Sequence, residues 1–154
     1  APWLSIRDHI VFQSYGPEQL AQIDRGEVVM AMVSTSRAVA AIQEGANIRV
    51  AWDASLVGLS TFMVTRDSRN PRLAMEMLNW TLDPEKQVEF ARASYFGPTN
   101  PEAQRIIAAD PALCALILNC SGRINEHTLV IDDDWYGQRE AMIVQMWSEW
   151  KSGQ

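Results

Sequence analysis

Residues 58–100 read GLSTFMVTRDSRNPRLAMEMLNWTLDPEKQVEFARASYFGPTN, and the order of elements in this stretch decides the fold. Leu59, Phe62 and Val64 are set among Ser60, Thr61, Met63 and Thr65, a β-branched and aromatic run that predicts a strand over 58–65. The polar connector Arg66 to Arg69 closes it. Asn70-Pro71 then opens a helix, because the Asn side chain accepts from an orphan N–H and proline's fixed φ suits the first helical position. Asp83-Pro84 repeats the device. Leu73, Met77, Leu78 and Trp80 give the first helix an apolar face, and Val88, Phe90 and Ala91 do so for the second. The stretch ends in Tyr95-Phe96-Gly97-Pro98-Thr99-Asn100, a turn with two aromatic side chains at its mouth.

Downstream, Asn100-Pro101 and Asp110-Pro111 start two more helices, so the second half is mostly helical and broken into short segments. Ser121 to His127 is a polar loop. Leu129, Val130 and Ile131 form a short apolar segment, and Asp132-Asp133-Asp134 opens a helix running to about Lys151. Upstream, Ile6, Ile10, Val11 and Phe12 begin a strand, and Gly16-Pro17 starts a short helix that Gly26 ends in the left-handed conformation. Val28 to Val33 is a continuous apolar run, the pattern of a parallel strand covered on both faces. Ser34-Thr35-Ser36 leads into a helix ended by Gly45. Ile48 to Trp52 is read as the next strand, closed by Asp53-Ala54-Ser55.

A strand, three hydroxyl residues and a helix make a site geometry, since ligands of open α/β sheets bind outside the carboxyl ends of strands, where helix N-termini present free N–H groups. N-capping by Ser34 or Ser36 is the structural alternative. Trp52, Tyr95, Phe96 and Tyr136 fall at element ends, where a cleft would lie. Aromatic faces of this kind attract ammonium groups at about 0.5–2 kcal/mol each; the alternative is that they close the edges of the core.

The chain has 154 residues, 47% of them hydrophobic and 21% charged, which suits one globular unit with a real core. Its net charge of −6, without a basic stripe, argues against nucleic acid and favours a cationic over an anionic ligand. No apolar run is long enough for a membrane helix. His9 and His127 lack a second ligand at metal spacing, and the three aspartates lack the alternation of a calcium loop. Neither a strained nucleophile turn nor a glycine-rich phosphate loop is present. No catalytic residue, metal or cofactor is therefore expected. Cys114 and Cys120 lie six residues apart, about 240° around an unbroken helix. They are either two buried small hydrophobes or a local disulfide formed where the helix breaks.

The order polar loop, apolar strand, Asn-Pro helix, Asp-Pro-Glu helix and Tyr-x-Gly-Pro-Thr-Asn resembles the C-terminal part of the extracellular solute-binding proteins of ABC importers, nearest the spermidine/putrescine-binding group. The segment from Asp24 to Met32 is similar to the family's helix end, Gly-Glu-Val and buried strand, and Asp134-Trp135-Tyr136 with Trp147 to Trp150 is similar to its last helix. The resemblance implies an α/β chain, a partial type II periplasmic-binding-protein-like fold with short strands followed by a mostly helical C-terminal half. Residues 1–57 would belong to a second-lobe-like unit and 58–154 to the return strand and C-terminal helices of a first-lobe-like unit, closing by a hinge between Trp52 and Gly58. It implies a non-enzymatic protein of the periplasm that captures a small polar or cationic solute, such as a polyamine, for an ABC permease. The chain has no initiating Met and no leader of its own, so a processed protein or a fragment is expected, with the signal peptide and the family's earlier half outside it.

The resemblance places Phe96 and Tyr136 at ligand contacts. The family's Trp-x-Asp pair falls here on Gly58 and Ser60, and its Trp after the Gly-Glu-Val strand falls on Val33, so Asp53 is read as a substitute charge. The expected ligand-binding set is Ser34, Thr35, Ser36, Asp53, Ser55, Ser60, Tyr95, Phe96 and Tyr136. A ligand-sensing regulatory domain, or a relic that binds nothing and oligomerises, are the other readings. Unpaired strand edges would favour a homo-oligomer.

Overall fold

The computed structural model describes residues 2–12, 16–120 and 122–153. A 3-10 helix, Pro2–His9, is followed by α1 (Gly16–Asp24), α2 (Thr35–Gln43), a 3-10 turn at Trp52–Ala54 and β1 (Leu56–Val57). Then come α3 (Pro71–Thr81), α4 (Pro84–Ser94), α5 (Pro101–Ala108), α6 (Pro111–Cys114), β2 (Leu129–Val130), α7 (Asp133–Gly137) and α8 (Glu140–Ser152). The chain is mixed α/β, mostly helical with a short sheet. That sheet is the parallel pair β1–β2, with Leu56 opposite Leu129 and Val57 opposite Val130.

All four Xaa-Pro starts open helices at the expected places. Asp83 accepts from the N–H groups of Glu85 and Lys86, Asn100 from Glu102 and Ala103, and Asp110 from Leu113, which satisfies donors that the first turn leaves orphaned. Asn70 makes no side-chain cap bond, so α3 begins on proline geometry alone. The Leu113 N–H, followed by the Arg92 guanidinium at 2.9 Å, holds the Asp110 carboxyl below the usual carboxylate range. Gly26 and Gly45 end α1 and α2 with φ of 70° and 99°, values open to glycine at little cost.

The main core lies within residues 88–120. Val88 and Ala91 of α4 meet Ala103 and Ile107 of α5, and Leu113, Ile117 and Cys120 close the far side. Ile107 and Ile117 are fully buried. α6 stops after four residues, and the chain turns back so that Cys114 and Cys120 form a disulfide with their Cα atoms 5.4 Å apart. The broken-helix alternative for the cysteines is therefore the one the chain adopts.

The turn at 96–100 is tied to this core by side chains. Gln87 Oε1 accepts from the Thr99 and Asn100 N–H groups, while its Nε2 donates to the Thr81 carbonyl. Asn119 Nδ2 and Gln104 Nε2 both donate to the Pro98 carbonyl. A Cβ at Gly97 would overlap the Asn119 amide, so a side chain there would push that amide from the Pro98 carbonyl. At the chain ends, Arg7 donates to the carbonyls of Trp150 and Lys151, and Phe12 meets Trp147 and Trp150 edge-on at 5.9 and 5.4 Å.

Several expected strands are not formed. Residues 28–33, 48–51 and 58–65 run outside helices and ladders, and Trp52 lies in the 3-10 turn instead of a strand. Ile10, Val11 and Phe12 follow a 3-10 helix and form no strand either. The apolar character of these segments is real, but a strand exists only where a neighbouring backbone completes its ladder, and among the described residues only β1 and β2 have one. Val29, Met30, Met32, Leu59, Phe62 and Met63 consequently face outward. The last helix also differs: it is split into α7 and α8 at Gln138–Arg139, where the Arg139 backbone leaves helical geometry with φ −122° and ψ 2°.

The disulfide closes a loop of only a few residues over Ile117, so chain-entropy arguments give it about 2 kcal/mol. Guanidinium denaturation with and without reductant should show a loss of that size, and the double variant Cys114→Ser/Cys120→Ser should match the reduced protein. An unchanged midpoint would contradict this role.

Candidate functional site

Because β1 and β2 are parallel, their carboxyl ends lie on the same side, and the chain leaves each there. β1 exits through Gly58, Leu59 and Ser60; β2 exits through Ile131 into Asp132, Asp133, Asp134, Trp135 and Tyr136. The Ile131 N–H donates to the Val57 carbonyl at 2.8 Å, which holds the two exits side by side. Gly58 faces Ile131, whose Cδ1 would stand 3.1 Å from an added Cβ. Asp132 caps α7 through the Trp135 N–H, and the Arg139 guanidinium covers Trp135 at 4.8 Å. Tyr136 is left 41% exposed, and Ser60 is exposed. This edge thus presents a hydroxyl, a phenol and the carboxylates of Asp133 and Asp134.

Asp53 and Ser55 lie at the opposite, amino end, because the strand they were expected to terminate is absent and they precede β1. Ser55 Oγ donates to the Trp52 carbonyl at 2.5 Å, and Asn125 Nδ2 stands 3.5 Å from Asp53 Oδ1. Arg123 organises this end. Its guanidinium lies 4.1 Å over the Trp52 ring and donates to the carbonyls of Ala115 at 2.6 Å and Ile117 at 3.1 Å. Burial lowers its pKa from the ordinary arginine value. Thus the disulfide loop, the 3-10 turn and the approach to β2 meet on one side chain.

Ser34 and Ser36 turn their hydroxyls to each other at 2.7 Å, and Ser34 makes no cap bond to α2. Simple N-capping is therefore not what these hydroxyls do. Thr35 begins the helix itself. Of the two aromatics in the turn, Tyr95 takes a left-handed backbone (φ 60°) at the end of α4 and packs against the core. Phe96 is 48% exposed and stacks on Phe90, the rings 6.4 Å apart and 9° from parallel. Phe96 is the one that offers an aromatic face.

Among the described residues, no hydrogen bond or ring contact joins the Ser34–Ser36 group to Asp53, Phe96 or Tyr136. Among the described residues, hollows lie elsewhere: one of about 270 Å³ between α1 and α2, lined by Leu20, Asp24, Ala41, Glu44 and Ile48, and an open one of about 580 Å³ beside Arg69, Leu73 and Met77. Neither includes any of the nine expected residues. Arg123 and Asn125 were not singled out from the sequence. The available signal was one arginine in a polar loop just after Cys120, and its stacking partner, 71 positions away, left no local trace.

The family model for bacterial extracellular solute-binding proteins matches residues 2–115. A solved GABA receptor shares the fold, with a TM-score of 0.78 over 97% of this chain at 20% sequence identity. This chain spans 45% of that receptor's length. A search of the curated proteins finds no match.

Arg123 combines a stacked guanidinium with two bonds to carbonyls, interactions whose combined loss costs about 1–3 kcal/mol. Arg123→Met should lower stability by that amount in chemical denaturation. Arg123→Lys should recover less than half of it, because an ammonium lacks the planar fork. Full recovery by lysine would contradict the fork's role.

Proposed function

The chain belongs to the bacterial extracellular solute-binding proteins, and from that premise we propose that it is the solute-recognising part of an ABC importer, holding a small polar solute with an ammonium group outside the cytoplasmic membrane. The observation that supports this reading is the common carboxyl edge of β1 and β2, which the chain leaves through Ser60 after one strand and through the acidic start of α7 and Tyr136 after the other. Ligands of α/β sheets bind at such edges. Carboxylates of Asp133 and Asp134, together with the net charge of −6, favour a cationic group there, and Phe96 supplies the aromatic face that covers it. A polyamine fits this chemistry. So does a small amino acid of the kind the structurally similar receptor is named for, and that resemblance supports the ammonium rather than one solute.

In this reading residues 1–57 and 58–154 serve two lobes, joined through Trp52 to Val57, and Ser34, Thr35 and Ser36 reach the solute from the other side when the lobes close. Asp53 and Ser55 act on the joint, under Arg123, and not on the solute. A periplasmic location and delivery to a permease belong to the same reading. The family is one of binding proteins, so no reaction is assigned.

The chain covers 45% of the similar receptor, so a site shared between lobes would keep about half of the 8 kcal/mol of a micromolar complex, leaving millimolar affinity. Calorimetry with putrescine, spermidine and GABA should find such binding, weakened about tenfold by Phe96→Ala and by Tyr136→Ala. Binding that neither substitution alters would place the site elsewhere. No binding of any of the three at tens of millimolar, on the order expected for a half site, would overturn the solute-binding reading for this chain.

A further inference from the structure

We propose that the Cys114–Cys120 disulfide is a redox-sensitive latch on the 3-10 turn before β1, with Arg123 carrying its state to Trp52 and to the β1–β2 ladder. Ala115 and Ile117 lie inside the loop that the disulfide closes, and their carbonyls are the two acceptors of the Arg123 guanidinium. The same guanidinium lies over the Trp52 ring. From Arg123 two short paths lead to the ladder. On one side the Trp52 carbonyl accepts from Ser55 Oγ, and the Ser55 carbonyl accepts from the Leu129 N–H. On the other, the Arg123 carbonyl accepts from Thr128 Oγ1, the residue before β2. Every link is a bond or ring contact between residues of this chain.

A guanidinium is a planar fork, so it keeps two bonds at once only while its acceptors hold their spacing. The disulfide fixes that spacing by closing a loop at a sequence separation of 6, and reduction frees the loop. Cys114 is partly exposed and Cys120 only 5% exposed, so the Cys114 sulfur is the one open to attack. A thiolate of a dithiol bonds to Cys114 Sγ and the S–S bond breaks, Cys120 Sγ leaving as a thiolate that takes up a proton. The dithiol's second thiolate then displaces Cys114 Sγ, which is protonated in turn, and the dithiol departs as a disulfide, having given the protein two electrons. With the loop open the fork loses its paired carbonyls, the guanidinium no longer holds the Trp52 ring, and the two-residue ladder opens more often. Any consequence for closure on a solute rests on the solute-binding reading; the latch itself does not, since no solute contact enters it.

Amide exchange at Leu129 and Ile131, whose N–H groups donate to the Ser55 and Val57 carbonyls, reads the latch in the full chain without any solute. With dithiothreitol these amides of the wild-type protein should exchange about tenfold faster, a change of the size expected when a charged fork releases its acceptors. Arg123→Met, still oxidised, should show the same acceleration, and reducing that variant should add less than about twofold, because the disulfide then has no route to the ladder. A disulfide that only stabilises the whole fold would instead speed both proteins by the same factor on reduction. Circular dichroism should show the wild-type helix content for the variant; if it does not, Trp52→Leu, which removes the other half of the stack, takes its place. Unchanged exchange in the reduced wild-type protein, or the same factor on reduction in wild type and variant, would overturn the proposal.

Discussion

The packing of Ile107 and Ile117 against Ala91 and Ala103 is the contact on which the rest of the structure depends. Four small or branched side chains let α4, α5 and the 115–120 turn approach closely, and the disulfide prevents that turn from peeling away. Deleting a buried branched aliphatic of this kind costs about 2–5 kcal/mol, a large share of the stability of a domain this size. Other parts of the chain are attached to this core through polar clamps. Gln87 and Asn119 fix the turn that carries Phe96, and Arg123 ties the 3-10 turn before β1 to the disulfide loop.

The candidate site inherits this arrangement. Phe96 is held at a fixed place because the turn after it is bonded at Pro98, Thr99 and Asn100. Ser60 and Tyr136 follow β1 and β2, whose two-residue ladder is a short connection beside a well-packed helical unit. Such a weakly held connection opens locally at little cost.

Helices were legible in the sequence because their signals are local. An Asp or Asn before proline supplies both a cap and a preset φ within two residues, and Asp83, Asn100 and Asp110 cap as read. Strands were not, because the ladder is supplied by a distant backbone: Val28 to Val33 has the composition of a buried strand yet has no neighbour among the described residues. The cysteines stayed open between two readings until the early end of α6 was known. For the site, Phe96 was separable from Tyr95 only through the left-handed turn at Tyr95, which sends one ring to the core and the other outward. Asp53 was read as a strand end facing ligand, and loss of that strand moved it to the far edge of the sheet. The family resemblance, by contrast, rested on the order of several weak signals, and the matched residues 2–115 include most of them.

Stability resides in the unit from α4 to Cys120, with the apolar segments outside it exposed and unladdered. Native-state hydrogen exchange, followed residue by residue, tests this most directly. The slowest amides should lie in α4 and α5 and at Ile117 and Cys120, and all should exchange faster once the disulfide is reduced. Amides of 58–65 should exchange within a few tens of times their unstructured rates, about 1–2 kcal/mol of protection. Protection at 58–65 equal to that of α4 would contradict the account, because those residues would then belong to a ladder the structure does not contain.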